Sequence, residues 1–289
     1  METRASPAAL RFFSSMKRTA EDAGTSQPSS RHRPSFKNLA TKADQTELTP
    51  FAEGAFRNVY RGKYTEGLQA GDPCVMKMFK KGSVYEDRFF AEDVKAVGRA
   101  KEITTAFNAA AFVNKTIYVN EANVWHRTKP DADGRHERML VEPMIEGEYV
   151  KFNSNSGYVN GADVMQALSH FSYDYSQGQE LLCDLQGGRY DTCYVLTDPV
   201  VMSRTGVYGA TDLGANGISN FFFHHKCNQF CKPHWRKVQA AQSHFNRVPG
   251  TTMSMAGPGA GGPVGSMGTL GLAGPSQPNQ WLPPVPRFL

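Results

Sequence analysis

Seven residues carry a histidine and two cysteines, His225-Lys226-Cys227-Asn228-Gln229-Phe230-Cys231, directly after the apolar run Phe221-Phe222-Phe223. Neutral imidazole and thiolate are the donors that Zn²⁺ prefers, and a structural site closes with four of them. Three donors can converge from one helix end and the turn after it, so the fourth must come from elsewhere. A metal held there would staple the C-terminal end of a folded region. His170, beside an apolar stripe on a separate helical segment, is the preferred fourth ligand, and His234 is the second choice. His224 adjoins His225 and would point about 100° away on a helix.

The five cysteines, Cys74, Cys183, Cys193, Cys227 and Cys231, are odd in number. With no apolar leader in Met1–Leu10, they fit a reducing, cytoplasmic compartment and metal or free-thiol roles better than a disulfide framework. The net charge of +5 is modest and forms no concentrated basic stripe, so no nucleic-acid partner is expected. No apolar stretch approaches the ~20 residues of a membrane span, so no membrane partner is expected either. Arg4, Arg11, Lys17 and Arg18 resemble the basic part of a transit peptide, but Glu2, Glu21 and Asp22 argue against one.

Residues 1–46, rich in Ser, Thr, Ala and Arg, read as a disordered tail. Residues 47–237 carry the periodicity of a folded domain. Residues 238–289 read as a Gly/Pro-rich disordered tail, whose Trp281–Arg287 end has the polyproline character an SH3- or WW-type partner would dock. Within the folded span, strands are expected from Phe56 to Tyr64, over Pro73–Phe79, Thr116–Val119 and Arg138–Val141, and at Glu180–Leu185 and Tyr194–Leu196. Helices are expected over Glu86–Phe112, with Phe90, Val94 and Val97 on the buried face, over Gly161–Tyr175, with Val164, Leu168, Phe171 and Tyr175, and over Asn216–His225.

Several residues suit nucleotide chemistry. Lys77 sits inside a period-two strand, where an ammonium is a fixed counter-charge for a phosphate; alternation equally permits a solvated face. The turn Gly54-Ala55-Phe56-Arg57-Asn58 lets backbone N–H groups approach phosphates, and a strand lysine follows it about twenty residues later. Glu142, Met144 and Ile145 follow a strand as an adenine hinge would. Asp184-Leu185-Gln186-Gly187 and Thr197-Asp198-Pro199 close two successive strands with the hard oxygen donors Mg²⁺ accepts. A single aspartate at a strand end is also a common turn former. The loop Gly209–Gly217 opens a helix and can carry substrate contacts.

In this order, Gly54-x-x-Arg57, Val75-Met76-Lys77, Val141-Glu142-Pro143 with Glu148–Asn155, Ser169-His170-Phe171, Asp184-Leu185-Gln186-Gly187, Thr197-Asp198-Pro199 and Phe222 through Cys231 resemble the atypical alpha-kinase family. The resemblance spans residues 48 to 236. It implies an α+β, two-lobed protein-kinase-like fold, with ATP in the cleft and a structural zinc in the C-terminal lobe. It also implies transfer of the γ-phosphate to Ser or Thr of a protein substrate. On this reading Gly54–Asn58 and Lys77 hold phosphates, Glu142, Met144 and Ile145 line the adenine hinge, and Asp184 is the catalytic acceptor. Gln186 and Asp198 hold Mg²⁺, and His170, His225, Cys227 and Cys231 bind Zn²⁺. Two departures stand out: the Asp184–Asp198 stretch is a few residues long, and Thr211 and Asp212 stand where relatives often show Gly and Asn. The alternatives are a catalytically weak, zinc-stapled interaction module, against which the intact lysine and acidic set argues, and a zinc nucleic-acid module, which lacks a basic-aromatic surface.

Overall fold

The computed structural model describes residues 2–5, 36–54, 57–80, 88–130, 134 and 136–254. They form two compact units, one of residues up to Glu148 with Gln186–Pro199, the other of Tyr149–Leu185 and the chain from Val200.

The first unit runs β1 (Glu2–Ala5), β2 (Ala40–Gln45), β3 (Ala52–Glu53), β4 (Arg57–Gly67), β5 (Pro73–Phe79), α1 (Arg88–Ala109), β6 (Thr116–Val119), β7 (Asn123–Arg127) and β8 (Arg138–Pro143). The strand order is β2-β1-β7-β8-β5-β4-β3, and β2 also pairs with β4, so six antiparallel strands close on themselves. Closure leaves these strands no open edge. The alternation read in β5 explains the interior: Cys74, Met76 and Met78 join Tyr64, Trp125, Met139, Val141, Ala40 and Ala43 in one buried cluster. Gly62 permits the close approach of β4, since a Cβ there would lie 2.8 Å from the Met76 methyl and 2.9 Å from the Cys74 sulfur. β9 (Glu148–Lys151) crosses into the second unit, which adds α2 (Asp163–Tyr175) and β10 (Glu180–Cys183). The first unit is completed by the hairpin β11 (Gln186–Arg189) and β12 (Cys193–Thr197), with β12 parallel to β6. The Tyr190 N–H closes this hairpin on the Cys193 carbonyl at 3.0 Å, so residues 190–193 form the tip of the Asp184–Asp198 stretch.

β13 (Val200–Ser203) pairs antiparallel with β10, and α3 (Gly214–His224) packs Ile218, Phe221 and Phe222 on Leu181, Cys183, Val200 and Met202. Among the described residues, no helix is long and apolar enough to cross a membrane.

Four expectations need correction. The expected N-terminal tail contributes two strands to the closed sheet, and Ala40 and Ala43 are core because β4 and β1 flank β2. The expected C-terminal tail begins too early: Val238, Ala241 and Phe245 cover the α3 core, and the chain is placed as far as residue 254. On α1, Phe90 is buried as expected, but Val94 is exposed and Val97 half-buried, and the buried face continues through Ala96, Ala100, Ile103 and Phe107. α2 is buried from Met165 through Tyr173, with Val164 half-buried and Tyr175 exposed, so it is a central helix and not one with a single apolar stripe. The polyproline segment at 281–287 and residues 6–35 lie outside the described residues.

Candidate functional site

In the first unit, Lys77 lies on the face of β5 opposite the sheet core, yet is only 6% exposed. Burial excludes the solvated face that alternation permitted, because a lysine this deep needs partners. Its Nζ is 2.7 Å from the Glu142 carboxylate, 2.7 Å from each oxygen of Asp198 and 3.2 Å from the Thr197 hydroxyl. β8 beside β5 supplies Glu142, and the end of β12 supplies the other two. The Thr197 hydroxyl donates to Glu142 at 2.8 Å. Burial opposes the ammonium, but Asp198 and Glu142 outweigh it and raise the Lys77 pKa. Burial likewise raises the pKa of Glu142 against the pull of Lys77, and the charge of Asp198 adds to the rise. Glu142 and Asp198 share the one ammonium, with Asp198 exposed and Gln186 across the hairpin at the β11 position that pairs with Thr197.

At the glycine turn, the Gly54 N–H donates to the Arg57 carbonyl at 2.7 Å, next to the β3–β4 pairing. Ala55 and Phe56 lie outside the described residues, and Asn58 pairs with Met78 across the sheet. Arg57 belongs to the Gly54–Asn58 turn that the resemblance assigns to phosphate. Its guanidinium instead pairs with Asp93 of α1 and stacks over Phe79 at 4.5 Å. Burial raises the Asp93 pKa against that pairing. Beyond Glu142, Met144 is half-buried and donates its N–H to the Pro73 carbonyl at 3.1 Å, while Ile145 is half-buried beside Gly188.

Asp184 belongs to the second unit, where it is 1% exposed. Its Oδ2 is 2.8 Å from Lys151 Nζ and accepts the Thr251 hydroxyl at 2.8 Å; its Oδ1 accepts the Asn155 N–H at 3.3 Å. Asp184 and Asp198 both adopt left-handed backbone, with φ of 57° and 47°. Non-glycine residues in that region cost on the order of 1 kcal/mol each, and such strain gathers at functional positions. Asp212, read as a departure, is a loop organiser: it accepts from Ser203 N at 2.8 Å, Ser203 Oγ at 2.6 Å, Gly214 N at 2.9 Å and Tyr208 N at 3.2 Å.

The same unit assembles the four predicted metal ligands. The donor atoms of His170, His225, Cys227 and Cys231 all lie within 4.8 Å of one another. His170 Nδ1 is 3.2 Å from His225 Nε2 and 3.6 Å from Cys227 Sγ, and His225 Nε2 is 3.7 Å from both sulfurs. A tetrahedron with Zn–N near 2.05 Å and Zn–S near 2.3 Å requires N–N of about 3.3 Å and N–S of about 3.6 Å. The set therefore fits a tetrahedral ion. His170 Nε2 bonds the Arg236 carbonyl at 2.9 Å, which directs Nδ1 inward. Burial pushes His225 down to about 4 and lowers His170, so both rings are neutral, the form a metal takes. Burial pushes the Cys231 thiol up to about 11, so deprotonating it calls for a cation. His234 is exposed and outside this group.

Sequence reasoning missed Thr197, Lys151 and Thr251 as partners of the acidic groups. All three contacts span 33 residues or more in sequence, and no local pattern marks them.

The sequence pattern of the Alpha-kinase family matches residues 52–231. The chain belongs to the alpha-kinase family. It is 38% identical over 193 residues to alpha-protein kinase 1 of Dictyostelium discoideum, covering 64% of this chain and 13% of that protein. Against myosin heavy chain kinase B of the same organism it is 33% identical over 195 residues, covering 65% of this chain and 25% of that protein. The crystal structure of the alpha-kinase domain of myosin-II heavy chain kinase A in complex with AMP-PNP superposes with a TM-score of 0.59 at 27% identity, covering 68% of this chain and 91% of that one. The chain thus spans about a quarter or less of the full-length curated relatives named here. The family match contains Lys77, Glu142, Asp184, Gln186, Asp198 and all four metal-ligand candidates.

Proposed function

We propose that this chain is a protein kinase that transfers the γ-phosphate of ATP to serine or threonine hydroxyls of a protein substrate. The observation that carries the reading is the buried Lys77 ammonium held between Glu142 and Asp198 in a chain of the alpha-kinase family. A cation locked on a strand is a preorganised counter-charge for phosphate, and it needs no reorganisation when charge develops in transfer. The AMP-PNP complex of the myosin-II heavy chain kinase A domain supports a nucleotide as its ligand here.

In this reading Lys77 and the backbone of the Gly54–Asn58 turn receive phosphate oxygens. Glu142, Met144 and Ile145 line the base. Gln186 and Asp198 offer the hard oxygens that suit Mg²⁺. Asp184 takes the proton of the attacking hydroxyl. His170, His225, Cys227 and Cys231 would hold a structural Zn²⁺, and the tetrahedral spacing supports that choice; its role is to fix the end of α3 to α2. The setting is cytoplasmic, as free thiols in the core favour.

The test is a comparison of wild type with Lys77→Ala for γ-phosphate transfer to a generic basic protein. Transfer should vanish in the variant while its zinc content stays at wild-type level. Retained transfer would refute the role given to Lys77.

A further inference from the structure

The chain between β8 and β9, residues 144–147, has no regular structure and is fastened by its neighbours within the first unit. The Asn120 amide, 1% exposed, donates to the Pro143 carbonyl at 2.9 Å. The Met144 N–H is taken by the Pro73 carbonyl at 3.1 Å, so a base edge must be read by the peptide groups after it. At the far end Glu148 forks with Arg189 through contacts of 2.6, 2.8 and 2.9 Å. Between these fixings lies Gly147, with φ of +120°, a conformation that favours glycine. The Tyr190 ring lies against it: a Cβ on Gly147 would be 3.3 Å from Tyr190 Cε1. The same ring and the Ile145 Cγ2 methyl both close on Gly188, where a Cβ would meet them at 2.6 and 2.7 Å. Tyr190 is itself anchored, since Lys115 Nζ donates to its carbonyl at 3.0 Å and its N–H closes the hairpin.

Glycine adopts positive and negative φ about as readily. The peptide before Gly147 can therefore turn over, exchanging N–H for C=O on the side that faces a base. A 6-aminopurine and a 6-oxopurine differ in that same order of donor and acceptor. A site that pairs with one leaves polar groups unpaired against the other. The Arg189–Glu148 pair is 52% and 57% exposed and holds weakly. The ring wedged between Gly147 and Gly188 is the stronger restraint. We propose that Tyr190 sets the nucleobase selectivity of this site by holding the Glu146–Gly147 peptide in one orientation. It acts through the hinge, as a positioning residue. The inference rests on the reading of Glu142, Met144 and Ile145 as the adenine hinge.

The experiment uses the full, metal-replete chain with Mg²⁺ and a generic basic protein. It measures KM and kcat for ATP and for GTP, and Kd for each nucleotide by titration calorimetry. Tyr190→Ala should raise KM and Kd for ATP roughly tenfold, the cost of refixing about one backbone residue on binding, with kcat within about twofold. The preference for ATP over GTP in kcat/KM should fall by a similar factor. Tyr190→Phe keeps the ring and should behave as wild type. Arg189→Met removes only the exposed ion pair and should also stay near wild type. Tyr190→Leu fills much of the same volume and takes the place of the alanine variant if that one does not fold; the same shift is expected. An unchanged Kd and an unchanged ATP preference without the ring would overturn the inference and leave the kinase reading standing. So would a loss confined to kcat, a phenylalanine variant as impaired as alanine, or an equal loss in Arg189→Met. A wild-type chain that binds neither nucleotide would remove the hinge reading and the inference together.

Discussion

Replacing Lys77 by methionine keeps the stem and removes the charge. Asp198 is 45% exposed and rehydrates at little cost, so the penalty falls on Glu142, whose side chain is 4% exposed. Breaking a buried pair by removing one partner costs about 3–5 kcal/mol. Protonating Glu142 is the alternative, and from its ordinary value of 4.5 this costs about 4 kcal/mol at pH 7.5 and about 1.4 kcal/mol at pH 5.5. That escape caps the penalty. A carboxylate with its folded pKa above the unfolded value loses stability as pH rises from the unfolded pKa toward the folded one, so the deficit must grow from pH 5.5 to 7.5. For units of this size each kcal/mol is worth about 2–4 °C, giving a Tm loss of about 6–16 °C at pH 7.5 and under about 6 °C at pH 5.5. Adding Glu142→Gln removes the stranded charge, and the amide oxygen still accepts the Thr197 hydroxyl. Scanning calorimetry of both variants at the two pH values is the assay. The double variant should recover most of the Tm but none of the phosphotransfer. An equal deficit at both pH values, or a double variant as unstable as the single, would refute the reasoning.

Cys227→Ser with Cys231→Ser should reduce bound zinc from one ion per chain to none by elemental analysis and lower Tm, since metal binding is part of the folding free energy. Asp212→Ala strands the Ser203, Tyr208 and Gly214 N–H groups, and a loss of about 2–4 kcal/mol is expected in a urea melt. Gly187→Ala should fail to fold or lose more than about 3 kcal/mol in the same assay, because φ is +144° and the new Cβ would meet the Val195 carbonyl oxygen at 2.0 Å.

What the sequence made legible was whatever local periodicity and chemistry encode. β5 and β6 fall on their expected residues, because Pro73–Phe79 alternates cleanly and Thr116–Val119 is a compact β-branched run. The His170, His225, Cys227 and Cys231 cluster was legible because three of its members share one short segment and their chemistry demanded a fourth. Lys77 could be singled out but not decided, since its burial depends on Glu142 and Asp198 arriving from β8 and the end of β12. β2 was hidden for the same reason: Ala40-Thr41-Lys42-Ala43-Asp44-Gln45 has weak strand propensity and is fixed by its neighbours in the closed sheet. The chain from 238 to 254 looks like linker by composition. It is held by Asn155, Ser156 and Asn220, far away in sequence, whose side chains bond its backbone and read little of its sequence.

The most direct test of the central claim is parallel incubation of the purified, metal-replete chain with Mg²⁺ and ATP labelled at either the γ or the α phosphorus, with Asp198→Ala alongside. The account predicts acid-stable label on serine or threonine from γ-labelled ATP only, and none in Asp198→Ala. A folded wild-type protein that binds ATP yet takes up no γ label, or equal labelling from both positions, would contradict it.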